Sequence, residues 1–315
     1  MCYEHKSIEI SRISIDSENF RITTKKNSDD LIKSIACLGI INPPVLVPRD
    51  DEFIVVCGFK RIEAARVLNF SNIHASILPP EIPKKQCIRL SIADNAFQRS
   101  LNIIEVSKSF ALLQKYFSHS EIIKEADLLG LPSNPGYLEK IAPLCRMPES
   151  IQQAILADLI SLPTAWQLSQ MPEDQAIAFA KILSALNCSL NKQREIITLI
   201  KEISHRDDVS VFEVLMDNSI QKIVHDDNLD TNQKTRQVRY ELRRRRYPQI
   251  TRAEKKFLSQ IKKLGLGEKF RIIPPPGFEG DTYRLTIDFK SLEEIKTHQK
   301  KLDKLIADPE FISIF

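Results

Sequence analysis

Residues 55–68 read VVCGFKRIEAARVL, in which a β-branched run is followed by one glycine, two cations and an apolar helical segment. A glycine between a strand and a helix allows a positive φ and a close approach of the backbone to a ligand. The chain has only eight glycines in 315 residues. Lys60 and Arg61 place positive charge at the start of a helix whose dipole already favours anions. The junction at Gly58 therefore predicts a phosphate-binding turn.

The composition is that of an ordinary globular protein, with 43% hydrophobic and 27% charged residues and a net charge of +4. A chain of this length is sufficient for two or three domains, each with its own core. No apolar run approaches the roughly 20 residues that a membrane span needs, and the first ten residues, MCYEHKSIEI, lack an apolar export segment. The six cysteines include no CxxC pair, and none has zinc-ligand spacing to a histidine. We therefore expect a cytoplasmic protein with reduced thiols, no zinc and no membrane contact.

The first hundred residues alternate short β-like runs with helical ones. The predicted strands are 8–15, 40–48, 52–58 and 73–79, and the predicted helices are 30–39, 61–70 and 84–95. We expect a small mixed α/β domain over residues 1–100.

The next hundred residues have an almost purely helical pattern, broken at Gly130-Leu131-Pro132 and at single prolines. This pattern predicts an all-helical domain over residues 101–205. Its predicted helices are 103–117, 119–129, 135–146, 149–158, 162–170, 173–186 and 189–204.

The last third divides into two regions. Residues 206–250 form an acidic and then basic segment, predicted to be a linker with partial helix, and residues 234–256 carry the densest cationic run. That run fits either a solvated helix surface or a contact with nucleic-acid phosphates. Residues 251–315 predict a helix, a two-stranded hairpin and a final helix. The fold class predicted for the whole chain is multidomain α+β.

Three motifs in the N-terminal domain resemble those of the ParB family of partition proteins, within the wider ParB/sulfiredoxin fold. They are a helix ending in glycine before a proline-containing strand, a strand–Gly-x-x-Arg–helix unit, and an acidic-Asn…Arg segment. The matching positions are Gly39 with Pro43 or Pro44, then Gly58, Arg61, Ala64, Ala65 and Leu68, and then Asp94, Asn95 and Arg99. Arg21 also lies where the family often has an arginine.

The resemblance extends to about residue 205. Residues 119–146 follow the family's helix-turn-helix, with the Ala126…Gly130 spacing of its tight turn, and residues 158–175 (DLISLPTAWQLSQMPEDQ) occupy the place of a later family segment. The resemblance implies a ParB/sulfiredoxin-like α/β N-terminal domain, an all-α helix-turn-helix central domain, and a small α/β C-terminal domain that dimerises.

Members of the family bind cytidine triphosphate with magnesium and close as a dimeric clamp on DNA, so the resemblance implies a partition or segregation factor associated with a nucleoid or plasmid. Backbone N–H groups after Gly58 and the forked guanidinium of Arg61 suit phosphate oxygens. The nucleotide-binding candidates are Arg21, Gly39, Pro43, Gly58, Lys60, Arg61, Asn95 and Arg99. Asp94 and Asn95 are the candidate Mg²⁺ ligands, since that ion takes few protein oxygens beside phosphates.

This sequence departs from the family pattern at the site. Gly58-Phe59-Lys60-Arg61 stands where the family has Gly-Glu-Arg-Arg, Asp94 replaces a glutamate, and Arg99 lies one residue farther on. The resemblance therefore implies CTP or another nucleoside triphosphate as the nucleotide. It leaves open whether a CTPase activity hydrolyses the nucleotide and whether the protein has a partner ATPase. Asp94 and Asn95 could also serve only to end a helix, since both residue types favour helix caps. Arg61 could also form a surface ion pair with Glu63 or Glu52.

The predicted recognition helix offers few groups for reading bases, and Pro143 inside it predicts a kink. The DNA-binding candidates are Asn134, Tyr137, Lys140 and Arg146, together with Arg243, Arg244, Arg245 and Arg246 of the cationic run. We expect contact mostly with phosphates and little sequence choice.

Two other classes of function stay open. One is an enzyme of the same fold: a sulfiredoxin-like protein using Cys57, a nucleotide-dependent kinase with Glu63 or Glu105 as base, or a nuclease. Cys57 precedes the glycine, whereas the sulfiredoxin-like cysteine follows it, and Cys57 shares a strand face with Val55, which favours a core position. The other class is a non-catalytic ParB-like scaffold that works through residues 251–315.

Overall fold

A computed structural model describes residues 3–15, 20–24, 29–267 and 269–312 of the chain. The chain divides into two compact units, residues 1–190 and residues 191–315. The boundaries predicted from the sequence at residues 100, 205 and 250 stay predictions.

The first unit begins with a five-stranded mixed sheet in the order β1-β5-β3-β4-β2. Strand β5 pairs antiparallel with β1 and parallel with β3, while β4 pairs antiparallel with β3 and parallel with β2. The strands are β1 (Glu4–Glu9), β2 (Ile13–Ser14), β3 (Val45–Arg49), β4 (Glu52–Cys57) and β5 (Asn72–Ile77). The expected single strand over 8–15 is wrong, because a 3₁₀ turn at Ile10–Arg12 divides it into β1 and β2.

Three helices accompany the sheet: α1 (Asp29–Leu38), α2 (Phe59–Val67) and α3 (Lys84–Ala96). Helix α1 packs against α2, and α3 packs against β4. Helix α2 begins two residues earlier than the expected Arg61, so Gly58 is its N-cap residue. The α/β character predicted for this region is confirmed.

The remainder of the first unit is helical, and its helices are α4 (Ile103–Gln114), α5 (His119–Leu128), α6 (Pro135–Ile141), α7 (Glu149–Leu156), α8 (Leu162–Leu168) and α9 (Glu173–Leu186). Helix α4 contacts α3, α5, α6 and α7, and the rings and methyl groups of Phe110 and Leu113 are fully buried on it. The expected helix 135–146 with a kink at Pro143 is wrong. Helix α6 ends at Ile141, and Pro143 precedes a separate 3₁₀ turn at Leu144–Arg146, since proline ends a helix more readily than it bends one.

The second unit contains seven helices and one hairpin in its described residues: α10 (Leu190–Asp207), α11 (Val211–Leu215), α12 (Asn218–Val224), α13 (Thr231–Arg246), α14 (Pro248–Leu264), β6 (Phe270–Ile273), β7 (Arg284–Ile287), α15 (Leu292–Ile306) and α16 (Pro309–Ile312). The segment predicted to be a partly helical linker, residues 206–250, holds α11, α12 and all of α13. Strands β6 and β7 pair antiparallel. Leu266, Phe270 and Leu305 form a small apolar core at this end.

Over the described part of the chain, the helices are either too short or too polar to cross a bilayer. Within the same residues, no three His, Cys, Asp or Glu side chains are grouped so that they could hold a metal ion by themselves.

Candidate functional site

Gly58 occupies a backbone conformation that other residues rarely adopt. Its φ of 89° and ψ of 27° are left-handed, and it caps the N-terminus of α2. A Cβ at this position would lie 3.0 Å from the Cβ of Pro44 and 3.2 Å from Nη1 of Arg61. Glycine is therefore required both by the backbone angle and by the close approach of the segment before β3.

The Arg61 guanidinium joins three segments of the first unit. Its Nη1 donates to the carbonyl oxygens of Asn42, at 3.1 Å, and Pro43, at 3.4 Å. Its Nη2 lies 3.9 Å from Oδ2 of Asp94, at the end of α3. The expected surface pair with Glu63 or Glu52 is wrong, because the Arg61 side chain is only 18% exposed and faces the carbonyls and Asp94.

Asp94 and Asn95 lie in the last turn of α3 and present oxygen atoms in two directions. Asp94 Oδ1 accepts a hydrogen bond from Gln98, and its Oδ2 faces Arg61. The Asn95 side chain donates to the carbonyl of Ser91 and accepts from the hydroxyl of Thr23. A carboxylate and an amide oxygen fit a hard cation such as Mg²⁺, although Asn95 would have to release Thr23 to bind it.

Arg21 lies beside the first residue of α2 and is paired with a carboxylate. Its Nη1 is 2.6 Å from Oε1 of Glu63, and its guanidinium carbon is 5.7 Å from the centre of the Phe59 ring. Arg21 was expected to balance phosphate charge. Its own charge is instead neutralised by Glu63, a residue of α2.

Arg99 is held by a buried carboxylate. Its Nη1 and Nη2 donate to the two carboxylate oxygens of Glu105, at 2.6 and 2.9 Å, and the Glu105 side chain is fully buried. Glu105 also accepts from the backbone N–H of Thr24 and, in a capping box at the start of α4, from that of Asn102. Burial raises the pKa of Glu105, but the hydrogen bonds from Arg99, Thr24 and Asn102 outweigh it, so its pKa is lowered overall.

The sequence reasoning missed this anchoring role of Glu105. The signal was present in Asn102-Ile103-Ile104-Glu105, because an Asn three residues before a Glu at a helix start is a capping-box pattern. The contact with Thr24 and the pairing with Arg99 follow from tertiary structure and have no local signal.

The remaining nucleotide-binding candidates are Gly39, Pro43 and Lys60. Gly39 ends α1 with a φ of 73°, and the space around it is open. Pro43 contributes its carbonyl to Arg61, and Lys60 lies half-buried in the first turn of α2. The structure thus brings Pro43, Gly58, Arg61 and Asp94 together. Arg21, Asn95 and Arg99 are bonded instead to Glu63, Thr23 and Glu105, respectively.

A polar cavity of about 510 Å³ adjoins Arg21 and Glu63. Thr23, Thr24 and Lys108 line it, together with Glu149, Gln152, Gln153 and Leu156 of α7. Its volume is within the range of small-molecule sites. The cavity lies beside α2 at Glu63 and reaches α4 at Lys108 and the residues of α7.

Cys57 and Glu105 are poorly suited to the enzymatic alternatives. The Cys57 side chain is buried, and burial raises the pKa of its thiol, with Asp94 adding to the rise. The reactive thiolate of a sulfiredoxin-like site is therefore disfavoured, and the core position expected for Cys57 is found. The lowered pKa and full burial of Glu105 disfavour it as a general base.

The four DNA-binding candidates near α6 lie on or beside a helix of seven residues. The side chain of Asn134 caps it by accepting from the backbone N–H of Tyr137 at 3.0 Å. Asn134, Lys140 and Arg146 are exposed and Tyr137 is half-buried. Six residues, 129–134, separate α5 from α6, which is longer than the three- or four-residue turn typical of helix-turn-helix motifs.

Each of the four consecutive arginines, Arg243 to Arg246, is paired with a carboxylate of the second unit. Arg243 bonds Glu195, Arg244 bonds Glu241, and Arg246 bonds Glu202. Arg245 contacts both Asp207 and Asp217. A phosphate at these positions would have to displace carboxylates already in place.

Comparisons with known proteins point to one family. A probable chromosome-partitioning protein ParB of Campylobacter jejuni is 29% identical over 104 residues, which are 33% of this chain and 37% of the relative. A second protein of the same description, from Helicobacter pylori, is 19% identical over 142 residues, 45% of this chain and 47% of the relative. The chain thus spans less than half the length of either curated relative. No family model matches the sequence.

The solved structures with some likeness are also ParB proteins, at low TM-scores. A truncated Caulobacter crescentus ParB with CTP-γ-S has 20% identity, a TM-score of 0.27, and coverage of 57% of this chain and 98% of that one. The same protein with its parS site has 16% identity, a TM-score of 0.35, and coverage of 60% and 96%. A Pnob8-like ParB-N domain has 16% identity, a TM-score of 0.37, and coverage of 76% and 98%. TM-scores this low do not establish a shared fold.

The curated relatives bear directly on the sequence analysis. Both are described as ParB, so the resemblance to the ParB family predicted from the motifs at Gly58 and Asp94 is confirmed. The chain is thus similar to ParB proteins over 104 to 142 of its residues.

Proposed function

We propose that this chain is a ParB-like partition protein that binds DNA and, through its N-terminal sheet domain, a nucleoside triphosphate with Mg²⁺. The observation that carries the proposal is the contact between Arg61 and Asp94, at 3.9 Å, directly beside the left-handed Gly58. An arginine fork, a helix N-terminus and a carboxylate at one place suit a triphosphate and its counter-ion. CTP is the first nucleotide to test, because a truncated Caulobacter crescentus ParB was solved with the analogue CTP-γ-S.

The phosphates would be bound by the backbone N–H groups of the first turn of α2 and by the guanidinium of Arg61. These donors are already oriented, since Gly58 fixes the turn and the carbonyls of Asn42 and Pro43 hold the guanidinium. Asp94 and Asn95 would hold Mg²⁺, which would neutralise part of the triphosphate charge. Gly39, Pro43 and Lys60 complete the proposed pocket.

Arg21 and Arg99 reach a phosphate only by exchanging partners. Their present partners are Glu63 and Glu105, in α2 and α4. A bound triphosphate would compete with those carboxylates for the two guanidinium groups, and the exchange with Glu105 would alter the anchor of Thr24 and of the start of α4. Whether the nucleotide is hydrolysed is left to measurement.

DNA is the proposed macromolecular partner, with a second copy of the chain. Asn134, Tyr137, Lys140 and Arg146 would contact DNA phosphates, as their exposure around α6 allows. Residues 251–315 would pair two copies, since Leu285, Phe289 and Leu292 expose apolar surface along and after β7. Association with a nucleoid or plasmid, and with a partner ATPase, follows from the resemblance to ParB as a further expectation.

The proposal is tested by calorimetric titration of the full chain with CTP, ATP, GTP and UTP, each with Mg²⁺ and with and without duplex DNA. Saturable binding of one nucleotide, weakened when Mg²⁺ is chelated, is the expected result. Absence of binding by all four nucleotides, with DNA binding retained, would contradict the nucleotide part and favour the non-catalytic scaffold.

The enzymatic alternatives are distinguished in the same samples. A small-molecule kinase would deplete ATP only when an acceptor molecule is added, and a nuclease would shorten the DNA. Neither is expected, since Glu105 is buried and paired with Arg99, and Glu63 is paired with Arg21.

A further inference from the structure

A groove in the second unit lies between α10, α13 and the start of α14. Its volume is about 630 Å³. Four arginines line it, Arg194, Arg236, Arg239 and Arg243, together with the rings of Tyr240 and Tyr247. Leu199 and Ile250 add apolar surface. All of these residues belong to residues 191–315, so the groove does not depend on the nucleotide site of the first unit.

Arginines flank a tyrosine on one face of α13. Arg236, Tyr240 and Arg243 follow one another at intervals of four and three residues, which places them on the same side of the helix. Tyr247 directly follows α13 and also lines the groove. Tyr240 is 45% exposed and Tyr247 is 37% exposed. Two aromatic faces are thus held next to guanidinium groups in a concave surface.

The lining carries more positive charge than its own carboxylates neutralise. Arg239 and Arg243 share the single carboxylate of Glu195, each at 2.7 Å. Arg194 and Arg236 have no hydrogen-bond or ion-pair partner among the residues that the structure describes.

The other carboxylates of the groove change this balance only in part. Glu202 accepts from Arg246 at 2.7 Å and from the Tyr247 hydroxyl at 3.3 Å, so it is already neutralised. Glu254 is the third carboxylate of the lining. Four arginines of the lining thus face three carboxylates, one of which is already paired with Arg246 from outside the lining, and the groove favours an anion.

We propose that this groove binds a segment of single-stranded nucleic acid. Unpaired bases would stack on Tyr240 and Tyr247, and the phosphates would lie against Arg194, Arg236 and the Arg239–Arg243 pair. Alternating aromatic and cationic side chains in a groove are typical of single-strand binding, because every base has a face that can stack. A duplex keeps those faces inside its own stack and would use only the arginines.

This site differs from the four consecutive arginines, Arg243 to Arg246, that were chosen as DNA-binding candidates. Of residues 243–246, only Arg243 lines the groove. Arg244 and Arg245 are instead bonded to Glu241 and to Asp207 and Asp217, which lie outside the lining. The arginines that carry the proposal lie on α10 and in the first part of the cationic run, residues 234–256, and the fold brings them to one groove.

The test measures fluorescence anisotropy of a labelled oligothymidine of about 16 nucleotides, and of a duplex of the same length, with the full chain. Tyr240→Ala is expected to weaken strand binding about tenfold or more, and Tyr240→Phe to retain it, because the ring stacks without its hydroxyl. Arg236→Gln should flatten the salt dependence of strand binding by a slope of about 0.7, the effect of one lost phosphate contact. Arg206→Gln is the matched control, because Arg206 is exposed, is paired with Asp207 and lies outside the lining, and it should leave strand binding unchanged.

Tyr240 and Arg236 are both exposed, so these substitutions are expected to fold, and thermal unfolding followed by circular dichroism checks this. Arg236→Gln and Tyr240→Phe decide the question even if Tyr240→Ala is unstable. The proposal is overturned if the parent does not bind the strand, if the Tyr240→Ala and Arg236→Gln proteins bind it as the parent does, or if Arg206→Gln weakens it equally. A Tyr240→Ala variant that loses duplex binding as much as strand binding would also overturn it.

Discussion

The start of α2 and the end of α13 are both rich in positive charge, but the structure treats their arginines differently. At α2, Arg61 is held by backbone carbonyls next to a glycine in a left-handed conformation, with its one carboxylate neighbour at 3.9 Å. At α13, four consecutive arginines are each bonded to a carboxylate at 2.6 to 3.2 Å. The first guanidinium keeps its charge largely uncompensated, and the others do not.

The difference shows that local charge density is a weak guide to a ligand site. Arg243 to Arg246 form the densest basic run in the sequence, yet the carboxylates that neutralise most of them come from α10 and from the segment before α12. Arg61 has fewer cations around it, but a required glycine and a close backbone approach accompany it. A ligand site needs donors that the fold holds in place and leaves available.

The largest expected effect is on folding at the turn of α2. Gly58→Ala forces a Cβ to 3.0 Å from Pro44 and an alanine into a left-handed backbone, so we expect a loss of about 3 kcal/mol in the free energy of unfolding. Gly39→Ala is the control, since Gly39 also has a positive φ but open space around it, and should cost about 1 kcal/mol. Urea denaturation measures both free energies of unfolding. Equal losses would mean that the close approach to Pro44 contributes nothing to the destabilisation by Gly58→Ala.

The next effect concerns the carboxylate that holds Arg99. Glu105→Gln is expected to cost about 2 kcal/mol near neutral pH, because Arg99 and two backbone N–H groups lose a charged acceptor. Since the pKa of Glu105 is lowered in the folded state, its contribution is complete above the ordinary value of 4.5 and is lost as the pH falls below it.

The stability difference between parent and variant should therefore shrink in acid. Glu121→Gln is a matched control, because Glu121 makes the same capping box at the start of α5 but is exposed to solvent. Its substitution should have the smaller effect at every pH. A difference for Glu105→Gln that stays constant from neutral pH into acid would show that its ionised form is not what stabilises the fold.

The smallest expected effect is on stability, when the ion pairs of α13 are removed one at a time. Glu195→Gln leaves both Arg239 and Arg243 without their shared partner, and we expect a loss of about 1 kcal/mol that diminishes in high salt. Glu241→Gln removes only the exposed Arg244 pair within one helix and should cost about 0.3 kcal/mol. Thermal unfolding at low and high salt measures both, and a larger loss for Glu241→Gln would reverse the ranking.

Much of the local structure could be predicted from the sequence, because caps, prolines and periodicity act over a few residues. The mixed α/β order of the first hundred residues, the turn at Gly58 and the helix Glu173–Leu186 followed from such signals. The break of the first strand at Ile10–Arg12 and the end of α6 at Ile141 were missed, since no glycine marks either position.

The central residues of the candidate site could be chosen from the sequence, but the side chains that pair with its other arginines could not. Gly58, Arg61 and Asp94 were chosen from motifs, and the structure places them together. The pairing of Arg99 with Glu105 and of Arg21 with Glu63 depends on how α2, α3 and α4 pack, which no spacing reveals. The surface pair of Arg61 with Glu63 or Glu52 was wrong for the same reason, as the carbonyls that Arg61 bonds belong to the segment before β3.

The most direct test of the central claim is calorimetric titration of CTP with Mg²⁺ into the parent chain, the Arg61→Gln variant and the Arg12→Gln variant. Arg12 is an exposed arginine of the same unit that bonds only the carbonyl of Asp51, so its variant is the control. We predict that the parent and Arg12→Gln bind CTP with the same affinity. Arg61→Gln should bind CTP at least about tenfold more weakly, at a temperature where all three proteins are folded. Equal affinity of the folded Arg61→Gln variant would contradict the assignment of a triphosphate to the turn at Gly58.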